Sequence, residues 1–391
     1  MSRIVAIADT HFGASNHLGR VNPQTGLHSR LEDFLKNFDT VMDYVLSNKT
    51  DLFVIAGDIY KTRSPSNTEQ EEFAKRIAKL GKVGQRTLIL TGNHDMWASR
   101  GSAHTVAVIN ALRPNAVDIV DEPRIVDVNG LKIGAIPYLY RQRLGVKTND
   151  EVLVQYKQQL DSFREQGVKL LIGHQTIEGA KMPAGYVSMD QFTEVIVPQS
   201  YLVGFDCCIF GHIHEHQVVC SSPLTMYTGP LERIDFSQSS KPVGFIIYDT
   251  DIKRYKFQEL QAVDLYYVKV DLTDGLGDLT KRVLDSIDMA RVPNSIMTIS
   301  ISIRETDVVK INRAELEKVL STAKFSAGVR LDIERSHISR DKQVNETMSA
   351  EEALLRYIQS RSDLKDIADT LLRRGTEVIK IHDSGEKDGE A

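Results

Sequence analysis

Five times before residue 215 a short apolar run ends at a small polar cluster, and this recurrence constrains the fold more than any other feature of the chain. Ile4-Val5-Ala6-Ile7 leads to Asp9 and His11, and Leu52-Phe53-Val54-Ile55 leads to Gly57-Asp58. Thr87-Leu88-Ile89-Leu90 leads to Gly92-Asn93-His94-Asp95, and Leu170-Leu171-Ile172 to Gly173-His174. Cys207-Cys208-Ile209-Phe210 leads to Gly211-His212-Ile213-His214. Unbroken apolar runs of this length suit strands covered on both faces. Between them Leu31, Phe34, Leu35, Phe38, Met42 and Val45 recur at helical spacing, as do Phe73, Ile77 and Leu80, and Val108, Ile109 and Leu112. Strand–helix alternation predicts an α/β fold with helices over the sheet. In such sheets ligand-binding groups gather beyond the carboxyl ends of the strands, and all five clusters fall there.

The pattern changes near Asp264. Leu265 to Leu272 reads as a strand, Asp278 to Ala290 as a helix, Ile296 to Ile303 as an alternating strand, Asn312 to Ala323 as a helix and Val329 to Ile333 as a strand. This is a small β-α-β-α-β unit of its own. Beyond it, Ser349 and Glu352 form a capping box ahead of Leu354, Leu355 and Ile358. Ser362 restarts a helix carrying Leu364, Ile367, Leu371 and Leu372, and Gly375 is expected to stop it. The tail from Ser384 is polar and expected to be disordered. The expected divisions are therefore 1–260, 261–345, 346–380 and a tail at 381–391.

The clusters supply three carboxylates, one amide and five histidines, with no thiolate. Such nitrogen and oxygen donors suit borderline divalent ions such as Mn²⁺, Fe²⁺ or Zn²⁺. Two ions ~3.5–4 Å apart ask for about seven protein ligands with one carboxylate bridging, and the chain offers that number. Glycines precede four of the candidate ligands, as sharp turns at strand ends favour. Asp and Asn are also common as plain turn residues, but five ordered clusters at strand ends are hard to reach by coincidence. The formal net charge of −5 gives no global pull toward nucleic acid, so any DNA contact must come from a local basic groove or from bound cations.

The ordered set Asp9-x-His11, Gly57-Asp58, Gly92-Asn93-His94-Asp95, Gly173-His174 and Gly211-His212-x-His214 resembles the calcineurin-like metallophosphoesterases. The resemblance implies a two-sheet sandwich flanked by helices. It implies that Asp9, His11, Asp58 and His214 hold one ion, that Asp58, Asn93, His174 and His212 hold a second, and that Asp58 bridges. His94 would act on the leaving oxygen, with Asp95 orienting its ring. Within that superfamily, Tyr227-Thr228-Gly229-Pro230-Leu231-Glu232-Arg233-Ile234-Asp235-Phe236 is similar to a segment of the SbcD-type nuclease subunits of double-strand-break repair complexes. So are Gly244-Phe245 and Gly57-Asp58-Ile59-Tyr60 with Ser64-Pro65-Ser66. The match is strong over roughly 1–260. The β-α-β-α-β unit is similar to that family's DNA-capping domain in layout only.

The implied function is a Mn²⁺-dependent DNA nuclease, a 3′→5′ exonuclease and single-strand or hairpin endonuclease. It would work in DNA end processing, recombination and repair with an SbcC-type coiled-coil ATPase. The last helices, through Leu354, Leu355, Ile358, Leu364, Ile367 and Leu371, would grip that partner, and the helices at Phe73–Leu80 and Val108–Leu112 would form a homodimer. Lys61, Arg63, Arg100 and Arg141 are candidates for DNA phosphates. Glu232 and Arg233 read as a structural ion pair beneath the site. In archaeal and eukaryotic members of the family a histidine stands where this chain has Lys61, so no role in handling DNA ends carries over to that position. Two other readings compete. One is a phosphatase or small-molecule phosphodiesterase, although Ile59-Tyr60-Lys61-Thr62 replaces the Asp-Arg-Gly of protein phosphatases. The other is a non-catalytic scaffold recruiting the ATPase, against which the full ligand set speaks. No signal-peptide pattern follows Met-Ser-Arg, and Cys207 and Cys208 read as reduced core residues, so the cytosol is the expected compartment.

Overall fold

The structure, a computed structural model, describes residues 2–99, 101–182, 194–334, 348–361, 364 and 367–385. All five apolar runs are strands. β1 (Arg3–Ile7), β2 (Leu52–Ala56), β3 (Thr87–Leu90) and β4 (Val117–Val120) are parallel neighbours. β5 (Arg124–Val128), β6 (Leu131–Ile136) and β7 (Leu170–His174) begin a second sheet. A two-stranded ribbon of β8 (Thr176–Ile177) and β9 (Ile196–Val197) follows. β10 (Cys207–Gly211), β11 (Gln217–Ser221) and β12 (Leu224–Tyr227) complete the second sheet in the order β11-β12-β10-β7-β6-β5. β13 (Gly244–Asp249) and β14 (Arg254–Glu259) return to the first, giving β14-β13-β1-β2-β3-β4.

The two sheets share one core. Ile4, Ala6, Val54 and Leu88 from the first meet Ile133, Ile172, Ile209 and Met226 from the second, all fully buried. The outer face of the first sheet is covered by α1 (Ser29–Ser47) and α2 (Asn67–Lys82), whose Phe34, Phe38, Phe73 and Ile77 join Val5, Phe53 and Ile55. The short α3 (Ala107–Leu112) buries only Ile109, and its Val108 and Leu112 are exposed. After the single turn α4 (Arg141–Leu144), α5 (Asn149–Glu165) covers the second sheet with Val152, Tyr156, Leu160 and Phe163. The result is the expected helix-flanked two-sheet sandwich. The face of α2 expected to build a homodimer is spent inside this core, because Phe73, Ile77 and Leu80 have almost no accessible surface left to offer.

Cα packing divides the chain into two compact units. The first holds 1–270 with 277–301 and 312–331, and the second 271–276 with 302–311 and 332–391. β15 (Asp264–Asp271), β16 (Ser295–Arg304) and β17 (Phe325–Glu334) form a three-stranded sheet in that order. α6 (Leu279–Asp285) and α7 (Arg313–Leu320) lie between these strands in sequence, so the expected β-α-β-α-β succession is present.

In the second unit, α8 (Ala350–Ser360) is capped by Ser349, whose side chain accepts from the Glu352 N–H. α9 (Ala368–Gly385) packs on it. This corrects the expectation that Gly375 stops a helix, while the expected start at Ser362 lies outside the described residues. Leu364 and Ile367 precede α9, and Gly375 lies inside it, where a Cβ would overlap the Leu354 side chain. The glycine serves close approach of two helices rather than a helix end. α9 reaches Gly385, past the Ser384 from which a disordered tail is expected, and the remaining residues lie outside the described ones. Among the described residues no helix is long and apolar enough to cross a membrane.

Candidate metal centre

Each polar cluster falls at the carboxyl end of its strand, and in three of the five the backbone is held in unusual geometry. Asp9 (φ 53°), His11 (φ 40°), Asp58 (φ 53°) and His212 (φ 95°) all occupy left-handed conformations without being glycine. Such conformations cost roughly 1–3 kcal/mol each and persist only where surrounding bonds impose them. Those bonds are visible. The Asp9 N–H donates to the Gly57 carbonyl and the His11 N–H to the Asp58 carbonyl, both at 3.0 Å. The His212 N–H donates to the Asp9 carboxylate (2.9 Å), and the His94 N–H to Asp58 Oδ1 (2.8 Å). Glycine is needed at 92 because a Cβ would collide with the Asp58 carboxylate, and at 57 because of φ 93° and the adjacent His174 ring.

The side chains converge from both sheets. Asp9, His11, Asp58 and His214 place one donor atom each within 4.8 Å of one another, and so do Asp58, His174 and His212. Asp58 belongs to both groups. Asn93 joins the second, its Oδ1 lying 3.2 Å from His174 Nε2 and 3.0 Å from His212 Nδ1. The seven ligand candidates read from the sequence are thus brought together.

The electrostatics ask for cations. His11 Nε2 and His214 Nε2 face each other at 2.9 Å. Burial drives His11 well below the ordinary imidazole range and His214 down to about 3. Two imidazoles held neutral with nitrogens converging beside a carboxylate are what a divalent ion would satisfy. Asp58 stays well below the usual carboxylate range: burial, the largest single effect, opposes ionisation, but His174, His94 and His11 together outweigh it. Asp9 is pushed up to about 7 by burial, which His174 only partly offsets. His174 is lifted to about 9, since Asp58, with Asp9 and the Ala56 carbonyl, overcomes the cost of burial. The residues fit a pair of divalent ions.

Tautomers are set by the surroundings. The His174 Nδ1–H donates to the Ala56 carbonyl at 2.6 Å, which turns Nε2 to the centre. His212 Nε2 lies 2.6 Å from Glu194 Oε1, which turns Nδ1 to the centre. Glu194 also accepts from the Thr176 hydroxyl, and these partners keep its carboxyl below the usual range although burial works against them. Sequence reasoning missed Glu194. It follows no motif, and only the fold brings it to His212.

His94 belongs to neither group. Its Nδ1–H donates to the Lys61 carbonyl at 2.8 Å, and burial lowers its pKa. Asp95 does not orient this ring, which corrects the expectation. Its carboxylate instead accepts from the Gly92 N–H (2.9 Å), the Ile59 N–H (3.1 Å) and the Thr105 hydroxyl (3.2 Å). Asp95 therefore ties the loop carrying Asn93 to the loop carrying Asp58, and burial with Asp58 nearby pushes it up to about 7.

The outer candidates scatter. Lys61 is half-buried and close enough to bear on His11, His94 and His214. Arg63 donates from Nε to the Asn93 (3.2 Å) and Met96 (2.7 Å) carbonyls. Arg141 opens α4, and Arg100 lies outside the described residues. Glu232 pairs with Arg30 (3.8 Å) rather than with Arg233. The Arg233 guanidinium donates to the Lys241 and Val263 carbonyls instead, because Glu232 is turned inward to Asn37. Of the proposed partner-gripping residues, Ile358 is buried, Leu354 packs against Gly375, and Leu355, Ile367 and Leu371 are exposed.

Comparison with known proteins agrees with this geometry. The sequence profile for calcineurin-like phosphoesterase matches residues 2–216. The chain is 24% identical over 249 residues to the SbcD component of the SbcCD nuclease of Staphylococcus epidermidis, covering 60% of this chain and 64% of that protein. It is 21% identical over 292 residues to the DNA double-strand break repair protein Mre11 of Aeropyrum pernix, covering 70% of this chain and 65% of that protein. The chain thus spans less than two thirds of the length of either relative. A solved structure of a protein of unknown function from Aquifex aeolicus matches at 14% identity with a TM-score of 0.24, over 46% of this chain and 80% of that one, an overlap too poor to bear on the fold.

Proposed function

The chain belongs to the calcineurin-like phosphoesterase family, and from that premise we propose that it is a two-metal phosphodiesterase that cuts DNA as the nuclease component of a double-strand-break repair complex. One observation carries the reading: two groups of buried donors share Asp58, with His94 beside them and outside both. In this reading Asp9, His11, Asp58 and His214 hold one ion, and Asp58, Asn93, His174 and His212 the other. Divalent cations there, Mn²⁺ first among them, supply Lewis acidity and charge neutralisation at phosphorus. The chain's own part is positioning. Ala56 and Glu194 aim His174 and His212, and Asp95 locks the Asp58 and Asn93 loops together. His94 holds Nδ1–H on the Lys61 carbonyl, so Nε2 is the atom that meets the leaving oxygen; it acts as general acid from the doubly protonated ring, giving up the Nε2 proton and keeping the one on Nδ1.

DNA as substrate is supported by the two nuclease relatives and by cationic groups near the site, Lys61, Arg63 and Arg141. The coiled-coil ATPase partner is supported by the apolar residues that α8, α9 and their connection leave exposed, Leu355, Tyr357, Ile367, Leu371 and Val378. We place the 3′→5′ exonuclease and the single-strand and hairpin endonuclease in this one site. The three-stranded unit around 261–345 is proposed as a DNA-capping domain, and a homodimer would have to use surfaces other than the buried face of α2. The deciding experiment compares Mn²⁺-dependent cleavage of single-stranded, blunt duplex and hairpin DNA with hydrolysis of p-nitrophenyl phosphate esters. Turnover of the esters alone would replace the nuclease reading with that of a phosphatase or small-molecule phosphodiesterase.

A further inference from the structure

The chain has one tryptophan, Trp97, and it is not in the core. It is 44% exposed. It sits three residues after His94 and four after Asn93, so its Cα lies within about 11 Å of the His94 Cα. Its surroundings hold it in place. The Arg63 guanidinium lies 5.7 Å from the Trp97 ring and 5.7 Å from the Tyr140 ring. That guanidinium is itself fixed by the Asn93 and Met96 carbonyls and by the Tyr140 hydroxyl at 2.7 Å. The Tyr140 hydroxyl donates to the Asn93 carbonyl at 2.6 Å. The indole is thus tied to the backbone of a candidate metal ligand. From Ala98 a cleft of about 190 Å³ runs past Tyr138 and Tyr140 to Arg141.

A rigid, partly exposed aromatic ring backed by a guanidinium is the usual means of holding a nucleobase without regard to its identity. We propose that Trp97 is a stacking platform for an unpaired nucleobase of the strand whose phosphate lies in the metal centre, with Arg63 and Tyr140 fixing the ring. Arg141, in the adjoining cleft, is placed to meet a phosphate of the same strand. This rests on the nuclease reading and names its substrate more narrowly, as a strand with unstacked bases at the cut.

The lone tryptophan makes the test direct. Full-length protein without added divalent metal is titrated with a short single-stranded oligothymidylate and, separately, with an abasic strand of the same length. The indole fluorescence should be quenched by the first and much less by the second. Trp97→Ala should bind the base-bearing strand roughly 5- to 100-fold more weakly, approaching its affinity for the abasic strand, and Trp97→Phe should recover most of the loss. Equal quenching by both strands, or Trp97→Ala binding the oligothymidylate as tightly as the unaltered protein, overturns the proposal while leaving a nuclease in place. A protein that hydrolyses bis(p-nitrophenyl) phosphate but neither binds nor cuts either strand loses the nuclease reading itself.

Discussion

At the scale of single residues, the division between ligands and the general acid has separable consequences. His94 touches Asp58 only through its backbone N–H, and its ring is held by Lys61. His94→Gln should therefore keep two metals bound and lower the cleavage rate about 10²- to 10⁴-fold. Asp58→Asn removes a charge shared by both groups and should weaken both ions at once. Metal content by elemental analysis, read beside the rate, checks both. Loss of an ion from His94→Gln would make His94 a ligand instead.

Glu194 makes a second residue-scale prediction. A carboxylate on His212 Nε2 fixes which nitrogen faces the metal, and removing such a partner typically costs about 10- to 100-fold in metal affinity. Glu194→Ala should show that loss for one ion of the two, and Glu194→Gln, which keeps an acceptor oxygen, should regain most of it. Titration calorimetry resolving the two ions would show whether only one has weakened.

The same site should bind metal more tightly as pH rises. Ligands must be deprotonated to bind. Without metal, Asp9 holds a proton up to about 7 and His174 up to about 9. Both protons leave on loading, so affinity should climb between pH 6 and 9, and calorimetry in buffers of different ionisation enthalpy should report proton release. Loading that proceeds with no proton release would mean these groups are already deprotonated.

At the scale of elements, what the sequence revealed depended on how local the cause was. The five strands were legible because each is buried on both faces, which leaves an unbroken apolar run. Their ligands were legible because parallel strands deliver them in chain order. Gly375 misled because its cause is tertiary: it makes room for Leu354 from another helix, which no local pattern displays. Glu194 and the Glu232–Arg30 pair were invisible for the same reason, the latter spanning 202 positions between residues 30 and 232. The helical pair α8 and α9 carries its own prediction. Leu354 packs against Gly375 across the pair, so Leu354→Asp should disrupt the pair itself. Ile367→Asp and Leu371→Asp instead alter exposed positions, 50% and 36% accessible, and should weaken ATPase binding while leaving helix content unchanged by circular dichroism. A chain ending at about residue 345 should lose the partner but keep Mn²⁺-dependent cleavage of single strands, since every candidate ligand lies before residue 215. Co-purification that survives truncation would place the partner's site elsewhere.

At the scale of the whole molecule, a formal charge of −5 sets an electrostatic problem for the proposed DNA substrate. The overall field repels a polyanion, so binding must come from short-range contacts at the centre. Divalent ions held by the buried carboxylates would reverse the sign there, and Lys61, Arg63 and Arg141 add cationic groups around it. Each phosphate neutralised by Lys or Arg releases counterions, so log affinity should fall linearly with log salt at a slope of about −0.7 per contact for single strands. Two to three local contacts predict a slope of roughly −1.4 to −2.1, well short of a protein that coats the duplex with basic residues. Because Arg63 is also spent on the Asn93 and Met96 carbonyls, Arg141→Ala should reduce the slope by nearly one contact, and Lys61→Ala likewise. Fluorescence anisotropy of a labelled single strand across a salt series, for the unaltered protein and both variants, measures this. A flat response would remove the electrostatic account and leave the ions alone to recruit the strand, whereas a slope near about −10 would require a basic surface that the composition does not supply.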